Sequence, residues 1–195
     1  MEIIELPKVE GSVLTYGEAH DYKRRIPTFR NKKQAERDRK IVGQIIRAWE
    51  VDENPDKVLD IFFAKHRLLS DPVYWETLRT VWIACGTGQS DRFIPLFKAD
   101  RRAKSWLMTI EDKEYLDSLD YPVTLYRACH EDDPRGISWT NDLDWCMNYA
   151  KVHGLQVYRS KFYRNEITAY FSRRGESEFI IIIPLKQPKR RLWVL

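Results

Sequence analysis

The sequence predicts an α+β protein: a helical N-terminal half, then a strand-rich, mainly antiparallel half. Three observations predict it. From about residue 31 to 118 apolar residues recur at helical spacing. After Pro122 the period falls to two, in segments rich in β-branched and aromatic residues. No regular alternation of helices accompanies those strands, which argues against a doubly wound parallel sheet. The expected division is residues 1–119, helical, and 120–195, strand-rich and site-bearing, packed as one unit.

The totals fit that class. The chain has 195 residues, 43% of them hydrophobic, enough to build a real core. It contains no apolar run of about 18 residues, so no membrane span is expected. The opening "MEIIELPKVE" has neither a basic n-region nor an apolar h-region and does not read as a signal peptide. Cys85, Cys129 and Cys146 are widely spaced and odd in number, which reads as reduced thiols in a cytoplasmic protein. Charge is uneven. Residues 21–40 hold nine Lys/Arg against three Asp/Glu, a net +6 in a chain whose total is +4. Such a run is a solvated surface, or else attracts an acidic or nucleic-acid partner.

The helices follow in order. "NKKQAERDRKIVGQIIRAWEV" sets Ile41, Ile45, Ala48 and Trp49 on one face. "NPDKVLDIFFAKHRLL" opens with Asn54 as N-cap and Pro55 at the first helical position. "SDPVYWETLRTVWIACG" repeats the device with Asp71 and Pro72, and Gly86 reads as its stop. "CGTGQSD" carries a G-x-G after a helix rather than a strand, so it is taken as an interhelical loop. "RFIPLFKADRRAKSWLM" reads as one further helix and "TIEDKEYLDSL" as another, with Thr109 and Asp112 in a capping arrangement.

The strands are "VTLYRACH", "GISWT", "LQVYRSKFYR", "EITAYF", "EFIIII" and "RRLWVL". Between the second and third, "NDLDWCMNYAKVHG" reads as a helix capped by Asn141, closed by Gly154, with Leu143, Cys146, Met147 and Ala150 facing a core. His130, Asp132 and Asp133 make an acidic loop, not a metal site, since no second spaced cluster completes one.

Three short motifs in the β half carry polar groups where a strand must account for them. Arg127 lies inside an apolar strand and needs a partner if buried. Ser138 and Thr140 share one side of a strand with Trp139 on the other; they also fit as caps for the next helix. Glu176 and Glu178 stand at the mouth of an isoleucine strand, or on a solvated hairpin turn with Arg173 and Arg174.

Taken together, "YR" (Tyr126, Arg127), "SWT" (Ser138, Trp139, Thr140) and "ESE" (Glu176, Ser177, Glu178) resemble the pattern of mono-ADP-ribosyltransferases of the arginine–serine–glutamate class. The helix after "SWT" and the strand "ITAYF" before "RRGESE" also match that family's layout. The resemblance spans roughly residues 121–183. The helical half looks like that of small transferase-like proteins of phages and bacteria. The resemblance implies an ADP-ribosyltransferase-like domain that uses NAD as substrate, with no metal, and releases nicotinamide. It implies catalytic roles for Glu178, Glu176, Arg127 and Ser138, and a dinucleotide site of Arg127, Ser138, Trp139, Thr140 and Tyr126.

The chemistry agrees with those residue types. Breaking the nicotinamide–ribose bond develops positive charge on the ribose, as in glycoside cleavage, and a fixed carboxylate stabilises it. Residues i and i+2 of a strand point the same way, so both acids face one site if the strand begins at Glu176. Glu178, directly before the apolar strand, takes the ribose hydroxyl and the developing cation. Glu176 meets the acceptor, and the resemblance implies that a Glu there goes with protein arginine, which a carboxylate can orient through paired hydrogen bonds. Gly175 permits the turn. Arg127 suits a pyrophosphate, and Ser138 suits a hydrogen bond that orients Glu178. Trp139, Tyr149 and Phe171 are candidates to stack on nicotinamide, or core residues. The alternative reading is a catalytically weak or inactive binding module of the same fold, acting on a protein or nucleic acid through residues 21–40. In a third, the acceptor is a nucleic-acid base or water.

Overall fold

The structure, a computed structural model, describes residues 31–85, 90–130, 136–173, 176–182 and 193–194. The chain is α+β and divides into two compact units. The first holds residues 31–85 and Arg101–Trp106. The second takes 90–100 and everything described from 107 onward, so two helices that the sequence pattern groups with the helical half belong to the strand-rich unit. No helix among the described residues is long and apolar enough to cross a membrane.

In the first unit, α1 (Lys32–Glu50) starts at Asn31, whose side chain accepts from the backbone N–H groups of Lys33 and Gln34. Its apolar stripe, Ile41, Val42, Ile45 and Ala48, is buried, with Trp49 half-buried beside it. Helix α2 (Pro55–Lys65) is capped by Asn54 as its sequence predicts. Helix α3 (Asp71–Cys85) includes Asp71 as its first residue, so that side chain does not cap from outside; it pairs instead with Arg101 at 3.0 Å. Asp38, in the middle of the basic run, is buried. It accepts from Gln34 Nε2, Ser70 N and Ser70 Oγ (2.8, 3.1 and 2.6 Å) and so ties α1 to the start of α3. The other charged residues of the described part of that run, Lys32, Lys33, Glu36, Arg37, Arg39 and Lys40, are exposed. Residues 21–30 and Gly86 lie outside the described residues.

The single helix expected over "RFIPLFKADRRAKSWLM" is absent, and the residues of that stretch are divided between the two units. Helix α4 (Ser90–Phe97) carries Pro95, which removes a backbone donor, and the chain then breaks before a 3-10 turn at Lys104–Leu107. Helix α5 (Ile110–Ser118) has the expected capping box between Thr109 and Asp112.

Among the described residues, six strands make two three-stranded antiparallel sheets. The strands are β1 (Val123–Cys129), β2 (Ser138–Trp139), β3 (Gln156–Phe162), β4 (Ile167–Arg173), β5 (Glu176–Ile181) and β6 (Trp193–Val194). The sheet orders are β1-β3-β6 and β2-β5-β4. A bridge between Tyr126 and Thr140 joins β1 to the end of β2, with reciprocal N–H···O distances of 2.7 and 2.9 Å.

Helix α6 (Leu143–His153) closes at Gly154, whose φ of 63° is left-handed, as the sequence predicts. Its N-cap is Asp142, not Asn141. Asp142 Oδ1 accepts from Trp145 N, while Asn141 Nδ2 donates to Tyr115 Oη at 2.8 Å. Met147 is also not in the core but 46% exposed; Cys146 and Ala150 are buried.

The register sorts the second sheet by face. Antiparallel partners share a face and alternate residues swap it. Trp139 pairs with Phe179, and Phe179 with Tyr170. These pack with Leu116, Leu125, Phe162, Ile167 and Ile181 in one core. Ser138 pairs with Ile180, and Phe171 with Glu178, on the opposite face. Ile180 and Ile181 are both buried, so the isoleucine strand is covered on both sides.

Candidate functional site

Two of the predicted side chains, Arg127 and Glu178, meet at a third predicted residue, Ser138. Its hydroxyl donates to Glu178 Oε1 at 2.6 Å. Its backbone carbonyl accepts from Arg127 Nη1 at 2.8 Å. Each side chain arrives from a different strand: Arg127 from β1, Ser138 from β2 and Glu178 from β5. The Tyr126–Thr140 bridge brings β1 against β2, and the β2–β5 ladder sets Ser138 on the face that carries Glu178. All three are half-buried. That is a setting in which charged hydrogen bonds are stronger than in water while the groups stay within reach of a ligand.

The carboxylate strand is fixed from behind. Ser177, between the two acids, turns to the other face, where its hydroxyl lies 3.2 Å from Tyr170 Oη. Tyr170 packs against Tyr115 with ring centroids 4.5 Å apart and planes tilted by 31°. Ser172, directly opposite Ser177, gives both its N–H and its hydroxyl to Asp112 (3.0 and 2.7 Å). Asp112 is buried and also closes the capping box of α5. Burial raises the Tyr170 hydroxyl above the usual tyrosine range, partly countered by Ser177.

Glu176 is the first residue of β5, paired in register with Arg173. Strand geometry thus begins where two acids two residues apart must begin it to share a face. The side chains of Glu176 and Arg173, together with Arg174, Gly175, Asp132 and Asp133, lie outside the described residues.

The aromatic expectations fare differently. Trp139 is 2% exposed, edge-on to Phe162 with centroids 5.0 Å apart; strand alternation turns it into the core, so it offers no ring face to nicotinamide. Phe171 is fully buried as well. Tyr149 is exposed on α6, stacked on Trp145 and tilted against His153. Thr140 is buried and its hydroxyl accepts from Asp142 N at 3.1 Å, the helix-start role. Tyr126 packs its half-buried ring against the Cys146, Ala150 and Val157 cluster. Burial pushes the Cys146 thiol up to about 11, against the opposing pull of the Arg127 charge.

Gly136, which opens "GISWT", is a site residue that sequence reasoning passed over. It is buried against the Arg127 guanidinium. A glycine two residues ahead of a polar strand position was the available signal.

The fold and the site define an antiparallel α+β protein with an arginine–serine–glutamate cluster at a sheet junction. Comparison of the chain with protein-family models, with curated proteins and with solved structures returns no match.

Proposed function

We propose that the protein is a mono-ADP-ribosyltransferase that moves ADP-ribose from NAD to a protein acceptor, with arginine as the acceptor residue, and releases nicotinamide. One observation carries this reading: Ser138 is hydrogen-bonded at once to Glu178, through its hydroxyl, and to Arg127, through its carbonyl. An oriented carboxylate beside a guanidinium is the equipment the reaction needs. The C–N bond between ribose and nicotinamide breaks, nicotinamide leaves with the electron pair, and Glu178 stabilises the cationic ribose. Arg127 holds the pyrophosphate through its remaining donors. Glu176 orients the acceptor guanidinium and helps remove its proton as the new C–N bond forms. The two-sheet, antiparallel frame is read as an ADP-ribosyltransferase-like fold on the same grounds. A lysate labelled with tagged NAD tests it: label should enter protein with the wild type and disappear with Glu178→Ala. Equal labelling by both would overturn it.

A second reading, a binding module without catalysis, draws on Arg127. One guanidinium nitrogen already serves Ser138, and Nε is enclosed without a hydrogen-bond partner among the described residues. That leaves fewer donors for an anion. A partner that co-purifies without NAD, and is lost on reversing the charges of Lys32 and Lys33, would favour it.

A further inference from the structure

Gly136 is buried, yet its backbone does not explain the glycine: among the described glycines only Gly154 has a positive φ. Space explains it. A Cβ at position 136 would lie 1.6 Å from Arg127 Nη2, 2.0 Å from Cζ and 2.6 Å from Nη1. No atoms can sit that close, so the guanidinium occupies the volume that any other residue's side chain would claim. The same fork is held from another direction by the Ser138 carbonyl, 2.8 Å from Nη1. An arginine side chain is long and freely rotating, and ordering one at the moment of binding weakens affinity. A ready-made seat removes most of that cost.

We propose that Gly136 is a positioning residue: the bare backbone at 136 seats the Arg127 guanidinium and so sets the direction in which it meets an anionic ligand, the pyrophosphate of NAD. The pyrophosphate part rests on the function proposed above; the seat does not. The colliding atoms are the far end of a flexible side chain, not backbone. Gly136→Ala therefore evicts the fork and leaves the strands in place. Its Tm should stay within a few degrees of wild type, while NAD affinity falls about 10- to 100-fold, the loss of one hydrogen-bonded charge contact. Turnover at saturating NAD should change far less, because the Ser138–Glu178 bond is untouched.

The experiment combines melting, calorimetric titration with NAD, and the Nε–H nuclear magnetic resonance signal of Arg127, assigned by its disappearance in Arg127→Lys. Gly136→Ala should shift that signal. In an Arg127→Ala background, Gly136→Ala should cause no further loss of affinity. An unmoved Arg127 signal would overturn the seat, and so would a collapse of the melting transition, because then the backbone yields and not the fork. A shifted signal in a protein that binds no NAD in either form would uphold the seat and refute the dinucleotide reading.

Discussion

Replacing Ser138 by alanine separates the two halves of the site, because its hydroxyl and its carbonyl serve different partners. Ser138→Ala deletes the 2.6 Å bond to Glu178 but leaves the carbonyl that receives Arg127. A hydrogen bond to a charged acceptor contributes about 1.5–3 kcal/mol. In the transferase reaction proposed above, at about 1.36 kcal/mol per decade of rate, full expression in the transition state would lower kcat about 10- to 150-fold. Glu178 is half-exposed, so water can replace part of the bond and the lower end of that range is expected. The KM for NAD should move less than about threefold, since Arg127 keeps its seat. Steady-state nicotinamide release, followed for Ser138→Ala beside Glu178→Gln, gives both constants. Unchanged kcat with a raised KM would refute the division of labour, because it would put Ser138 on substrate binding and not on the orientation of Glu178.

Trp139→Phe should leave NAD affinity unchanged and cost about 1–3 kcal/mol of stability through lost core packing, measured by titration and urea denaturation; a large loss of affinity would restore Trp139 to the ligand surface. Asp112→Ala strands the Ser172 donors and opens the capping box, so stability should fall by about 3 kcal/mol, lowering Tm by about 6–12 °C. Cys146, fully buried and raised to about 11, should resist iodoacetamide at pH 8 in the native state and react at once in denaturant. The native state holds that proton, and those of Cys85 and Tyr74 (each about 12), more tightly than the unfolded chain does. Stability should therefore be flat in this respect below pH 9 and fall as pH rises from about 9 through 12. Urea midpoints across that range check the sign.

Local signals in the sequence were legible where one short-range interaction decides the outcome. Asn54 before Pro55, Thr109 with Asp112, and Gly154 after a helix each need only neighbours within four residues. The order of Arg127, Ser138 and Glu178 along the chain was legible too, and the described geometry brings them together. Contacts across the fold were not. Asn141 and Asp142 are equally good caps by type; a distant hydroxyl, that of Tyr115, takes Asn141 and leaves the cap to Asp142. Met147 and Cys146 are adjacent apolar positions, and only the placement of α6 on β1 decides that Cys146 goes inward. Asp38 sits in a run of cations that reads as solvated, yet Ser70, 32 residues away, buries it. Gly136 lies before β2 and its partner is the tip of a side chain on β1, so only its place two residues ahead of Ser138 marked it.

The sequence Glu176-Ser177-Glu178 at the entrance to an isoleucine strand has a physical account in this arrangement. Strand alternation sends Ser177 to the face opposite Glu178, and there it meets Tyr170, whose ring is backed by Tyr115 on α5. Directly opposite Ser177 on β4, Ser172 is gripped twice by the buried Asp112 at the start of the same helix. The reverse of the hairpin is thus fastened to α5 at two points beside the carboxylate. Glu178 gains a rigid base from behind and an orienting hydroxyl, Ser138, from in front. A carboxylate held this way needs little reorganisation when positive charge develops before it, which is the source of most electrostatic catalysis. The apolar residues Phe179, Ile180 and Ile181 serve the same end, since a one-residue slip of register would turn Glu178 into the core that Phe179 now fills. Loosening the rear attachment by Tyr170→Phe should therefore lower kcat without changing the KM for NAD, and Ser177→Ala should reproduce it; a Tyr170→Phe enzyme with full kcat would mean that the front contact alone fixes Glu178.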